Sequence, residues 1–198
     1  MLRRFLIVPS VVLLSVGPIA DAQTIGSPLL SLGLRAGTTL PANEITRLVN
    51  RSTMLMGVLA TTRSPAGWLR FRLDAEYERF AARSVQIFHA TGTPVGHVVE
   101  NTSVLTGMAG AEVRATKSRA LRPYAFAGIG AARFRGRWRM TSPAGKESGL
   151  GEPVWTRTSA AGAGVDIPLA RFTLFAEGRY QIRGGARLVP MTLGFRTR

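Results

Sequence analysis

Trp68-Leu-Arg-Phe-Arg-Leu-Asp-Ala-Glu-Tyr-Glu78 is the stretch whose reading decides the fold. Leu69, Phe71, Leu73, Ala75 and Tyr77 are apolar or aromatic; of the six residues between and around them, Arg70, Arg72, Asp74, Glu76 and Glu78 are charged. Side chains alternate across a β-strand with a period of two, so the stretch reads as a strand with one apolar face and one ionic face. A helical period would mix both classes on every face. Alternation alone does not say which face meets water. A soluble sandwich turns the apolar face inward; a membrane barrel turns it toward lipid.

Strand rhythm recurs along the chain. Leu30, Leu32, Leu34 and Ala36 alternate with Ser31, Gly33, Arg35 and Gly37. A second strand is expected over 53–61, with its phase open because Met54-Leu-Met56 and Val58-Leu59 are apolar on both faces. After the opening stretch come strands over 103–115, 123–135, 154–166, 172–182 and 189–196. Eight strands of roughly the ~9–11 residues needed to cross a bilayer are predicted. Their connections run long, short, long, short, long, short, moderate. The long ones are Thr39 to Arg51, Phe80 to Asn101 and Gly136 to Pro153; the last, moderate one is Arg183 to Leu188. Such alternation fits an up-and-down barrel with short turns at one end and long loops at the other. The expected fold is an all-β, eight-stranded antiparallel up-and-down transmembrane β-barrel.

Composition agrees. The chain has 198 residues, is 45% hydrophobic, and carries 22 Gly and 11 Pro, a turn-rich balance. It lacks cysteine, which excludes disulfides, thiolate metal sites and a lipidated N-terminal Cys. Residues 1–22 read as a secretory signal: Met1-Leu-Arg-Arg4 is basic, Phe5 to Val16 is apolar, and Ala20-Asp-Ala22 is a small-x-small cleavage site. The apolar run is too short for the ~20 residues of a spanning helix. Residues 23–198 would then be the barrel domain of an exported protein. Removing Arg3, Arg4 and Asp21 lowers the formal charge from +15 to +14. An exported chain with its arginines spread over many strands points to an acidic lipid surface, and nucleic acid is not expected as a partner.

At this point the sequence resembles the small outer-membrane β-barrel family, with its OmpA-type eight-stranded membrane domain and opacity-protein-like members. The resemblance rests on Arg122-Pro-Tyr-Ala-Phe-Ala-Gly-Ile-Gly-Ala-Ala-Arg-Phe134, on Ala161-Gly-Ala-Gly-Val-Asp-Ile-Pro168, and on Leu174-Phe-Ala-Glu-Gly-Arg-Tyr180 running into Val189-Pro-Met-Thr-Leu-Gly-Phe-Arg196. It implies an outer membrane of the Gram-negative type and a last strand read by the barrel-insertion machinery. That strand usually ends on an aromatic; here Phe195 is followed by Arg-Thr-Arg198. A monomer is expected, and no peptidoglycan-binding domain is indicated.

Inward-phase charges are the main polar feature: Arg35, Arg70, Arg72, Asp74, Glu76, Glu112, Arg114, Glu177 and Arg179. An eight-stranded barrel is only wide enough for its own side chains, and buried charges must pair. These residues are therefore expected to form a salt-bridged plug, with Glu177 and Glu112 as its central acids, in preference to a gated ion path. An aromatic girdle at headgroup level is expected from Tyr77, Tyr124, Phe134, Trp155, Phe172, Tyr180 and Phe195.

Two other groups of residues bear on chemistry. His89 and His97 fall in the second long connection without a recognisable Ser/acid pattern, so catalysis is not expected. Neither a cofactor nor a metal site is expected, since metal spacing and nucleotide fingerprints are lacking. Arg47, Arg51, Arg83, Arg137, Arg139 and Lys146 in the outer loops read equally as contacts to lipopolysaccharide phosphates and as a solvated basic surface. The expected role is structural or surface-interacting. The alternatives are a soluble exported barrel holding a small apolar ligand, and a rim-site enzyme that modifies lipid A.

Overall fold

The computed structural model describes residues 30–42, 52–63, 68–90, 92, 94–115 and 120–197, apart from a few side chains within the strands. The expected signal segment, with Arg47 and Arg51, lies outside the described residues. Among the described residues ten strands are present: β1 (Leu30–Pro41), β2 (Ser52–Arg63), β3 (Leu69–Phe80), β4 (Arg83–Phe88), β5 (Pro94–Arg114), β6 (Arg122–Ser142), β7 (Gly145–Leu150), β8 (Val154–Pro168), β9 (Phe172–Arg183) and β10 (Ala186–Thr197). Every pairing is antiparallel. Eight strands form the wall, in the order β5-β3-β2-β1-β10-β9-β8-β6, and the β5–β6 pairing closes it. Closure leaves the wall no open edge, the condition for a sheet to stand in lipid.

β1 and β10, the first and last strands, pair over nine residue positions, Gly33↔Arg196 to Pro41↔Leu188. β1 therefore begins and β10 ends at the same rim, here called the lower rim, which also carries the β2–β3, β5–β6 and β8–β9 connections. The opposite rim carries the long connections. There the structure departs from the predicted loops. β5 and β6 do not end at the wall but continue as one uninterrupted ladder, from Arg114↔Tyr124 to His97↔Thr141. β4 pairs the upper end of β5, Pro94 to Glu100, and β7 the upper end of β6, Arg137 to Ser142. The two segments expected as loops, 80–101 and 136–153, thus form a four-stranded sheet, β4-β5-β6-β7, standing above the wall.

The cause is legible in hindsight. Val95, Val98 and Val99 are β-branched, and the Arg-x-Arg alternation continues through Arg139; only Pro, Gly and charge content suggest loops. The connection at Arg183 to Leu188 contracts to Gly184 and Gly185, with φ of 56° and 88°. Two left-handed residues in a two-residue loop match the twist of the flanking strands. Lower in the β5–β6 ladder, a Cβ on Gly130 would collide with the Gly107 backbone carbonyl. Glycine there lets the two strands bend sharply around a narrow bore.

Candidate functional site

β3 shows the phase directly: Arg72, Asp74, Glu76, Glu78 and Phe80 are buried, while Phe71, Leu73, Ala75 and Tyr77 are exposed. The ionic face therefore lines the interior. β9 repeats the pattern, with Phe175, Glu177, Arg179, Gln181 and Arg183 inside and Leu174, Ala176, Tyr180 and Ile182 outside. On β2 the phase, open in sequence, resolves as Leu55, Leu59 and Thr61 inward, with Met54, Met56 and Val58 outward. The outer wall is a belt of large exposed apolar residues, among them Leu32, Leu34, Leu73, Leu105, Ile129 and Leu193. Water does not tolerate such a contiguous surface on a monomer; lipid does.

The interior holds six arginines and six carboxylates in twelve ion-pair contacts among the described residues. Glu177 lies between two arginines. It accepts a two-pronged contact from Arg72, at 2.7 and 2.9 Å, and a 3.1 Å bond from Arg35 Nη1. Arg35 Nη2 lies 2.7 Å from Asp74 and 2.6 Å from Glu76. Arg179 also holds Glu76. Below, Glu112 contacts Arg114 at 2.5 Å, Arg196 at 3.3 Å and Arg72 at 3.4 Å. Asp166 bridges Arg114, at 2.6 Å, and Arg196. Above, Arg183 bonds Glu78 at 2.7 Å. Phe80, Val104 and Ala132, with Phe134 packed on them, close the upper bore with an apolar cap.

Eight of the nine inward-phase charges named from the sequence lie in these contacts; Arg70, near the lower rim, is half-buried and makes none of the ion pairs described above. Glu78, Asp166, Arg183 and Arg196 join the network without having been expected there. Glu78, Asp166 and Arg196 are in phase with their strands' interior residues, a signal that could have found them. Arg183 is hidden in sequence because its segment reads as a loop.

The girdle needs correction on β6. Trp155, 65% exposed, stands outside with Tyr77 and Tyr180 toward the upper rim, and Phe172 and Phe195 are outside near the lower rim. Tyr124 is only 4% exposed, and its hydroxyl donates to Glu177 Oε2 at 3.1 Å. Phe134 belongs to the interior cap. On this strand the aromatics are the inner phase, because flat rings fill the bore against guanidinium planes. Arg72 lies 4.1 Å from the Phe126 ring centroid, and Arg196 5.1 Å from that of Tyr124. The outer phase needs only Ala125, Ala127, Ile129 and Ala131 to meet lipid.

Consequently Arg133, Arg135, Arg137 and Arg139 share the outer phase of β6, and they rise onto the upper sheet. Direct pairing partners share a face. Arg133 pairs Leu105, Arg135 Ser103, Arg137 Asn101 and Arg139 Val99. Lys146 sits on the same face through Thr141. The sheet's acids, Glu100 and Glu147, pair Trp138 and Met140 and occupy the other face, as does Arg83, opposite Glu100. So Arg137, Arg139 and Lys146 are not on loops, and Arg83 is turned away from them.

His97 lies on β5, and its Nε2 meets the Ser84 hydroxyl of β4 at the exposed tip. The pair is invisible in sequence because a hairpin not anticipated brings Ser84 and His97 together. His89 stands in the turn beyond β4, where its carbonyl accepts from Gly92 N–H. The acids of this sheet are on the opposite face, so the pair has no carboxylate orienter there. Among the described residues, no cluster of His, Cys, Asp and Glu is disposed to hold a metal.

A closed wall of eight antiparallel strands, charged within and aliphatic without, defines a β-barrel of the transmembrane type. Its architecture is that of the small outer-membrane barrels. The solved structure of Neisserial surface protein A superposes with a TM-score of 0.54 at 14% identity, covering 87% of this chain and 99% of that one. A major outer membrane protein from Thermus thermophilus gives 0.53 at 13% identity, covering 85% and 98%. No protein-family model matches the chain, and no curated protein matches its sequence.

Proposed function

We propose that the protein resides in a Gram-negative-type outer membrane as a sealed barrel, and that its role is surface interaction through the β4-β5-β6-β7 sheet. The observation that carries this reading is the contrast between a bore filled by balanced ion pairs and a sheet raised clear of the wall. A bore of this width, plugged by its own side chains, supports neither conduction nor a lumenal ligand site. The solved barrels it resembles are a surface protein and an outer membrane protein, which favours the same membrane. Burial of the charged face weighs against a soluble barrel. Catalysis is not part of the proposal, because the Ser84–His97 pair is exposed and lacks an acid on its face.

The test joins two measurements on the full chain. Gel mobility of unboiled against boiled samples from the detergent-extracted outer-membrane fraction should show a heat-dependent shift, since a closed wall resists detergent. Planar-bilayer recordings should show no stepwise conductance. Protein found intact in the soluble fraction would overturn the membrane reading; steady channel openings would overturn the sealed bore.

A further inference from the structure

We propose that the cleft formed where β3, β5, β6 and β7 meet binds the phosphate groups of a phosphorylated glycolipid in the outer leaflet. This rests on the outer-membrane reading above. The cleft has a volume of about 470 Å³. Arg79, Arg133, Arg135 and Arg137 line it together with Asn101 and Ser103. A second hollow of about 560 Å³ continues upward from Arg79 and Arg137 to Arg139. No carboxylate lines either. Arg135, Arg137 and Arg139 are exposed and make no ion pair among the described residues.

Guanidinium groups at alternate strand positions stand about 7 Å apart, so the ladder covers roughly 20 Å along the strand. Each offers a planar fork that matches two phosphate oxygens. Charge alone would suit any polyanion. The base of the cleft selects lipid. Tyr77 and Leu105 form its lower lip, in phase with the apolar belt. The Arg133 guanidinium lies 5.8 Å from the ring centroid of Trp155, a girdle residue. The first arginine thus stands at the level of the headgroups, with acyl chains below and a cationic wall above. A soluble polyanion has no use for an apolar lip sunk into the bilayer edge. The six arginines and six carboxylates of the bore's ion pairs cancel, so the chain's formal +15 rests on residues outside that network, the four arginines of the ladder among them.

The test uses the refolded full chain in phosphatidylcholine nanodiscs, doped with bisphosphorylated lipid A or with its fully dephosphorylated form. The midpoint of heat modification is read. Each surface arginine contributes about a fivefold preference for anionic headgroups, so phosphorylated lipid should raise the midpoint by about 5–10 °C. The dephosphorylated form should not. The variant R135Q/R137Q/R139Q should lose the rise while keeping its midpoint in pure phosphatidylcholine. R83Q, on the opposite face, should retain it. An equal rise in the triple variant, or with dephosphorylated lipid, overturns the proposal. So does heparin capture from detergent solution without any lipid phosphate effect, which would assign the face to a soluble polyanion. A chain that never becomes heat-modifiable would instead defeat the membrane reading.

Discussion

Two sets of arginines share this barrel and live by opposite rules. Those of the bore, such as Arg35 and Arg72, are enclosed by carboxylates and aromatic rings. Those on the outer phase of β6 stand on a face without acids. A single step in strand phase separates the two environments: Phe134 packs into the cap while Arg133 and Arg135 face outward. The residue type carries no instruction about role; the neighbours on its face do. Inside, a charge is tolerable only when paired, and pairing makes the bore a rigid fill. Outside, an unpaired guanidinium is hydrated and remains available to a ligand.

The sharpest way to break this contrast is to strand a bore arginine. Glu177→Ala removes the acid shared by Arg35, Arg72 and the Tyr124 hydroxyl. Loss of one member of a buried ionic cluster costs about 3–5 kcal/mol. Urea titration of the refolded barrel, read by heat-modifiability, should show the midpoint falling accordingly. An unchanged midpoint would mean that water, and not Glu177, compensates these arginines.

Arg183 and Glu78 refine the point, being paired to each other near the cap at 2.7 Å. Arg183→Leu alone should cost about 3 kcal/mol, because it leaves Glu78 buried without its cation. Adding Glu78→Leu should restore stability to within about 1 kcal/mol of wild type. A double variant as unstable as the single would show that the pair contributes attraction beyond cancelling its own burial. Tyr124→Phe should have a smaller effect, about 1–2 kcal/mol, for the lost hydrogen bond to the Glu177 carboxylate. Because the ring stays, its stacking beneath Arg196 is preserved, and the same titration isolates the hydroxyl.

Much of the wall is readable in sequence because period-two alternation is a strong signal where one face is apolar and the other mostly polar or charged, as in β3 and β9. Eight strands, their order and the shared rim of β1's start and β10's end follow from that rhythm and the connection lengths. The reading fails on β6, where both faces mix classes. Aromatic character alone sends Tyr124 and Phe134 to the lipid face, yet a narrow bore lined by arginines has its own need for rings. The upper sheet is hidden for a different reason. Its strands pair beyond the membrane, where glycine, proline and charge are compatible with both a hairpin and a loop. Only the continued β5–β6 ladder shows that Arg133 to Arg139 form one face, and only the β4–β5 pairing shows that Ser84 meets His97. Pairing across distant segments is not written in local periodicity.

The smallest expected effect is the most discriminating one for the outer set. Arg137→Gln removes a cation from an exposed position with no acid beside it, so nothing in the fold depends on its charge. In plain detergent micelles its unfolding midpoint should match wild type to within about 0.5 kcal/mol. The bore variants fix the scale against which this near-zero is read: the same residue type on the inner phase of the wall, as at Arg183, is worth about 3 kcal/mol. A large destabilisation by Arg137→Gln would mean that the outer arginines are structural after all, held by backbone carbonyls of the upper sheet. A neutral result leaves ligand binding as the physical reason for placing four arginines in register on a face that folding does not require to be charged.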